Sequence, residues 1–132
     1  LTDTTMSFCL PFAGQTAVVI GGGSGIGKST CNALASEGAL VVVADISLET
    51  ARTTAQSLPE ISQHLAIQVD VGSSQSVKAL FETVGRECKV PPSIVVNCAG
   101  IMGARRYLTE TPEDDFDNVV RVNLKVINFL YI

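Results

Sequence analysis

The feature that most constrains this chain is the glycine-rich segment Gly21-Gly22-Gly23-Ser24-Gly25-Ile26-Gly27, called the glycine loop below. It follows Thr16–Gly21, a β-branched apolar run typical of a buried strand, and it opens a helix predicted from Gly25 to Glu37. Glycines permit a tight turn and let the backbone approach an anion at the positive end of a helix. The loop is therefore predicted to bind the pyrophosphate of a dinucleotide. A triphosphate-binding Gly-x-x-x-x-Gly-Lys loop is not expected, on the interpretation that Lys28-Ser29 lies out of its register.

An acidic residue ends the second apolar run, Leu40–Asp45, about twenty residues after the glycine loop. A carboxylate at this position can accept hydrogen bonds from the ribose diol of adenosine, and it would repel a 2′-phosphate. Ile46 stands where an arginine would compensate for that phosphate, and the glycine loop contains no basic residue. Asp45 therefore favours NAD over NADP. The alternative is that Asp45 only caps the next helix, although Ser47 is the more natural cap.

The remaining sequence alternates between strand and helix patterns. A helix is predicted from Ser47 to Leu58, a strand over Leu65–Asp70, a helix from Ser73 or Ser74, a strand over Ile94–Asn97, and a last helix capped by Thr111 with Pro112 in its first turn. The last helix has an apolar stripe at helical spacing: Phe116, Val119, Val120, Leu124 and Ile127. The alternation predicts an α/β fold, a doubly wound parallel sheet with helices on both faces, here with four strands.

Asn123 is a polar residue within that apolar stripe. We expect its amide to be buried there, which costs free energy unless its hydrogen bonds are satisfied. From the residues alone, a structural asparagine that bonds neighbouring backbone is favoured over a functional one.

Composition narrows the classes of partner. The net charge of −4 argues against nucleic acid as a partner, and no apolar run is long enough for a membrane span. Four scattered cysteines and one histidine predict no metal site. Cysteines of the reduced, packing kind and the absence of a visible targeting segment predict a soluble intracellular protein.

Several motifs in order resemble the short-chain dehydrogenase/reductase family. Its Thr-Gly-x-x-x-Gly-x-Gly loop corresponds to Ile20 and the glycine loop, and its Asn-Asn-Ala-Gly segment to Asn97-Cys98-Ala99-Gly100. Ile20 and Cys98 depart from the pattern. The resemblance implies cofactor contacts at Gly21, Gly23, Ser24, Gly25, Ile26, Gly27, Asp45, Ile46, Asp70, Val71, Asn97, Ala99 and Gly100. It also implies that Asp70-Val71 contacts adenine and that Asn123 helps to hold a proton-relay water.

The resemblance extends to activity and organisation. Three segments are most similar to family members that act on hydroxysteroids or 3-hydroxyacyl and 3-oxoacyl thioesters: Pro91–Val96, Cys98–Ile101 and Glu113–Phe116. The resemblance therefore implies hydride transfer between NAD and an alcohol or ketone. Tyr107 is followed by Thr111 at the lysine spacing, and Tyr131 has no residue four positions later. The resemblance therefore implies that the family's catalytic serine and Tyr-x-x-x-Lys pair would fall beyond Ile132. We therefore expect an N-terminal extension (1–12), the cofactor-binding half of a domain (13–132) and little activity.

Two alternatives follow for the chain itself. It is either a partial sequence of an active dehydrogenase, which we favour, or a truncated non-catalytic fragment that binds NAD or a partner. The family resemblance further implies that the complete protein is a homo- or hetero-tetramer and that it lies in the mitochondrial matrix or the cytoplasm.

Overall fold

The computed structural model describes residues 10–60, 62–125 and 127, and its centre is a parallel sheet of four strands. The strand order in this part of the chain is β3-β2-β1-β4, with every neighbouring pair parallel. The order reverses between β1 and β4, and open α/β sheets bind ligands beyond the carboxyl ends of their strands at such a point. The strands are β1 (Thr16–Ile20), β2 (Leu40–Asp45), β3 (Leu65–Gln68) and β4 (Pro92–Asn97).

Helices connect the strands and cover both faces of the sheet. Ser47 caps the second helix by accepting the N–H of Thr50, and Ser73 caps the third by accepting the N–H of Ser76. The described helices are α1 (Gly25–Ser36), α2 (Leu48–Ser57), α3 (Ser74–Glu87) and α4 (Glu113–Asn123), with a short 3₁₀ turn at Leu108–Glu110.

The two central strands supply alternate side chains to two separate cores, because successive residues of a strand point to opposite faces. On one face, Val18, Ile20 and Val42 pack with residues of α3 such as Leu80. On the other face, Val19, Val41 and Val43 pack with Cys31 and Ala35 of α1 and Ala51 of α2. Every residue of β1 is buried, which explains its continuous apolar pattern.

The predicted doubly wound α/β architecture is confirmed, and the predicted boundaries need small corrections. Thr111 does not cap α4, because Pro112 is the extended residue that precedes the helix and Glu113 is its first residue. β4 begins at Pro92 rather than Ile94, since a proline is tolerated at the first position of a strand. β3 ends at Gln68, two residues before the predicted end at Asp70.

The apolar stripe of α4 is largely open to solvent in the described residues. Phe116 is 62% exposed and Leu124 is 58% exposed, and no residue of α4 is buried. No described helix is both long and apolar enough to cross a membrane. The predicted boundary between the extension (1–12) and the domain (13–132) stays a prediction, because residues 1–9 and 128–132 lie outside the described part.

Candidate functional site

The loops that leave the carboxyl ends of β1, β2, β3 and β4 meet around one cleft of about 520 Å³. The glycine loop follows β1, Asp45 ends β2, Asp70 follows β3, and Ala99 follows β4. Eleven of the thirteen predicted cofactor contacts line this cleft: Gly21, Ser24, Gly25, Ile26, Gly27, Asp45, Ile46, Asp70, Val71, Ala99 and Gly100. Asn97 and Gly23 do not line it.

The glycine loop is packed so closely that side chains would not fit at several positions. A methyl group at Gly21, where φ is 77°, would lie 2.7 Å from the backbone nitrogen of Ala99. A methyl group at Gly27 would collide with the carbonyl oxygen of Gly21. Gly25, where φ is 50°, instead faces open space. These glycines therefore allow a tight turn on one side and a bare backbone surface on the side of the cleft.

The amino-terminal end of α1 is free to receive an anion. Ser24 precedes the helix, but its side chain makes no capping hydrogen bond. Within the described residues, no hydrogen bond reaches the backbone N–H groups of Gly25, Ile26 or Gly27. These donors lie at the positive end of the helix dipole, which favours a negatively charged group.

The interpretation that Lys28-Ser29 lies out of register for a triphosphate-binding loop was wrong. Gly22 and Gly27-Lys28-Ser29 do satisfy the spacing Gly-x-x-x-x-Gly-Lys-Ser. The structure supplies a different argument, because α1 already begins at Gly25. Half of the segment between the two glycines is therefore the first turn of a helix and not an extended loop that could wrap a chain of phosphates.

Asp45 links the end of β2 to the glycine loop. Its Oδ2 accepts a hydrogen bond of 2.9 Å from the N–H of Gly23, and its Oδ1 accepts one of 3.1 Å from the N–H of Ser47. Ser47 in turn caps α2, so the alternative that Asp45 is itself the side-chain cap is wrong. Each carboxylate oxygen has a second lone pair, so both can still accept a hydroxyl from the cleft.

Asp70 is held in a turn after β3 by three neighbouring groups. Its N–H donates to Ser76 Oγ, and its Oδ1 accepts a 2.8 Å hydrogen bond from the N–H of Gly72. The guanidinium of Arg121 on α4 approaches the same oxygen, with Nη1 and Oδ1 3.6 Å apart. Arg121 also lines the cleft, and its position there was missed by sequence reasoning.

Asn97 and Asn123 form hydrogen bonds with the backbone of the loop that follows β4. Asn97 Oδ1 accepts the N–H of Ala99 at 3.2 Å. Asn123 holds Ile101 by a pair of hydrogen bonds, with Oδ1 accepting its N–H at 2.8 Å and Nδ2 donating to its carbonyl at 2.9 Å. The prediction that Asn123 is buried was wrong, since the residue is exposed, whereas a structural asparagine bonding nearby backbone is what the structure shows.

Two thiols lie at or behind the cleft. Cys98 lines it, whereas Cys31 is fully buried under the glycine loop and donates to the carbonyl of Gly22 at 4.0 Å. Burial raises the pKa of the Cys31 thiol to about 12, so this group stays protonated at neutral pH. Across the described residues there is no group of three or more His, Cys, Asp or Glu side chains that could hold a metal ion.

The family model and the similar curated proteins point to the same family. The sequence model of a family described as short chain dehydrogenase matches residues 15–130. The human protein named (3R)-3-hydroxyacyl-CoA dehydrogenase is 39% identical over 117 residues, which cover 83% of this chain and 44% of that protein.

Two solved structures share the fold. One is a hydroxysteroid dehydrogenase from Escherichia coli, with a TM-score of 0.79, 29% identity, and coverage of 92% of this chain and 51% of that one. The other is named ribose-5-phosphate isomerase from Brucella melitensis, with a TM-score of 0.81, 33% identity, and coverage of 89% and 44%. The chain thus spans about half the length of these proteins.

Proposed function

The chain belongs to the short-chain dehydrogenase family, and from this premise we propose that it binds NAD as the cofactor-binding half of an oxidoreductase. The observation that carries the proposal is the cleft itself. It brings the bare backbone of the glycine loop, the carboxylate of Asp45 and the carboxylate of Asp70 to one edge of the sheet. An anion site flanked by two acceptor-only side chains suits a dinucleotide, which has a pyrophosphate between groups that donate hydrogen bonds.

The described residues fit such a molecule on steric grounds. Side chains at Gly21 and Gly27 would displace the loop, and Gly25 leaves its backbone open to the cleft. In the proposed complex the N–H groups of Gly25, Ile26 and Gly27 bind the pyrophosphate. Val71, Ala99 and Gly100 supply uncharged surface for the rings, and Gly23 and Asn97 support the cleft from behind.

The preference for NAD over NADP is part of the proposal. Asp45 ends β2 beside the glycine loop, and its oxygens are fixed by the N–H groups of Gly23 and Ser47. A fixed carboxylate attracts hydroxyl donors and repels a phosphate. The neighbouring Ile46 is exposed and lines the cleft without contributing a positive charge.

For the whole protein we propose hydride transfer between the cofactor and an alcohol or ketone, with a 3-hydroxyacyl thioester or a hydroxysteroid as the substrate class. When bound, the nicotinamide supplies or accepts the hydride. Asn123 holds the loop at Ile101 beside the cleft and, by the family resemblance, would support a proton-relay water. The family's Tyr-x-x-x-Lys pattern does not occur within the 132 residues. Since positioned proton transfer contributes about 10²–10⁴-fold to rate, we expect this chain to bind the cofactor with negligible turnover.

The test is an equilibrium titration of the 132-residue chain with NADH, followed by the change in nicotinamide fluorescence. The proposal predicts saturable one-to-one binding that ADP-ribose competes for and that Mg-ATP does not. Competition by Mg-ATP alone would favour the triphosphate-binding alternative instead. A folded chain that gives no saturable signal with NADH or NADPH would overturn the proposal.

A further inference from the structure

Arg121 is the basic residue among those that line the cleft, and the proposed function assigns it no role. The family resemblance implies that Asp70 contacts adenine, and we infer that Arg121 is a positioning residue that fixes the carboxylate of Asp70 for that contact. The inference rests on the proposed function, because it concerns how the same cleft selects its ligand. It predicts preference for a base with an exocyclic amino group over one with an oxo group at the same position.

The guanidinium of Arg121 is held by three neighbours. Its Nη2 donates a 2.9 Å hydrogen bond to Oδ1 of Asn118, one turn earlier on α4. Its Nη1 lies 3.6 Å from Oδ1 of Asp70. The same group lies against Gly72, where even a methyl group would collide with it. Arg121 therefore joins α4 to the turn after β3, across one side of the cleft.

This arrangement leaves the two oxygens of Asp70 unequal. Oδ1 accepts the N–H of Gly72 and faces the guanidinium of Arg121. Within residues 10–60, 62–125 and 127, no hydrogen bond to Oδ2 is formed. A carboxylate oxygen accepts hydrogen bonds and donates none, so Oδ2 attracts an amino group and repels an oxo group.

The ion pair acts by orientation rather than by stability. The side chains of Arg121 and Asp70 are 40% and 44% exposed, and exposed pairs contribute little to folding. Without the guanidinium, a single hydrogen bond from Gly72 would hold the carboxylate, and the group could rotate away from the base. Loss of Arg121 should therefore change ligand selectivity more than it changes folding.

The experiment compares NAD with nicotinamide hypoxanthine dinucleotide, in which an oxo group replaces the amino group of adenine. Dissociation constants are measured for the unmutated chain, for Arg121→Met and for Lys125→Met, which removes an exposed positive charge just after the end of α4. We expect the unmutated chain and Lys125→Met to prefer NAD by about tenfold. In Arg121→Met the preference should fall to about threefold or less.

Gly72→Ala is a second variant, which displaces the guanidinium without removing it. The collision involves the far end of a flexible side chain, so the variant should fold and should lose the preference as Arg121→Met does. If circular dichroism shows that Arg121→Met is unfolded, Gly72→Ala tests the role of Arg121 in its place. An unmutated chain without the preference, or folded variants that keep it, would overturn the inference while the proposed function stands. A folded unmutated chain that binds neither dinucleotide would overturn the proposed function itself.

Discussion

Replacing Asp45 with alanine is expected to remove most of the preference for NAD over NADP. In the proposed complex the carboxylate of Asp45 attracts the ribose diol of NAD and repels the 2′-phosphate of NADP. The phosphate carries a charge of about −1.5 to −2 at neutral pH. Alanine removes both effects, so NAD should bind more weakly and NADP more tightly.

The magnitude follows from the charge and surroundings of Asp45. We place the carboxylate of Asp45, with a charge of −1, about 5 Å from the 2′-phosphate, with a charge of about −1.5. At an effective dielectric constant of roughly 60, the repulsion between them is about 1.7 kcal/mol. A hydrogen bond to a charged group contributes about 1.5–3 kcal/mol when it is well shielded. Because Asp45 is only partly buried, we take about 2 kcal/mol in total, which corresponds to a change of about 30-fold in the ratio of dissociation constants.

The same substitution also weakens the fold, because two backbone N–H groups lose their acceptor. The N–H groups of Gly23 and Ser47 both donate to Asp45, and leaving a part-buried donor unsatisfied costs about 1–3 kcal/mol. A ratio of two affinities measured on one variant is therefore more informative than either affinity alone. Asp45→Asn keeps an acceptor oxygen and should show a smaller loss of stability.

The assay is a pair of fluorescence titrations with NADH and NADPH on each variant. Glu82→Ala is the matched control, since it removes one negative charge from the exposed outer face of α3 and should leave the ratio unchanged. Equal affinity of the unmutated chain for both dinucleotides would refute the reasoning. So would a ratio in Asp45→Ala within about twofold of the unmutated value.

Three further predictions concern the fold around the cleft. Gly27→Ala should unfold the chain or abolish binding, since its methyl group would collide with the backbone. The control Gly85→Ala, in α3, places a methyl group where nothing lies within 4 Å, so urea denaturation should show a chain more stable by about 0.5–1 kcal/mol. Asn123→Ala should cost about 1–2 kcal/mol by removing both hydrogen bonds to Ile101, and an unchanged urea midpoint would contradict this. Burial raises the pKa of the Cys31 thiol from 9.0 to about 12, so between these pH values the unfolded chain loses a proton that the folded chain keeps. The free energy of unfolding should therefore fall by about 1.4 kcal/mol per pH unit from pH 9.0 up to about pH 12. Cys31→Ala should reduce that alkaline slope, and an equal slope in both proteins would show that the thiol is not its cause.

The sheet and the glycine loop could be predicted from the sequence because their signals are local. A β-branched run such as Thr16–Ile20 specifies a buried strand, and only glycine tolerates the close packing found at Gly21 and Gly27. Asp45 and Asp70 could be placed because parallel strands bring their carboxyl ends to one edge of a sheet.

The contacts between distant segments could not be predicted in this way. Periodicity indicates which face of α4 is apolar but not whether another element covers that face, so Asn123 was expected to be buried and is exposed. The pairing of Arg121 with Asp70 joins residues 51 positions apart and depends on how α4 approaches the turn after β3. No local pattern in the sequence encodes that approach.

The central claim is that the cleft at the carboxyl edge of the sheet binds the dinucleotide through the amino-terminal turn of α1. A titration of ¹⁵N-labelled chain with NAD, followed by backbone amide NMR, tests it residue by residue. The account predicts that the amide signals of Gly25, Ile26 and Gly27 shift and saturate together, while those of the outer face of α3 around Lys78 stay in place. Saturable shifts confined to surfaces away from the glycine loop, or none in a folded chain, would contradict it.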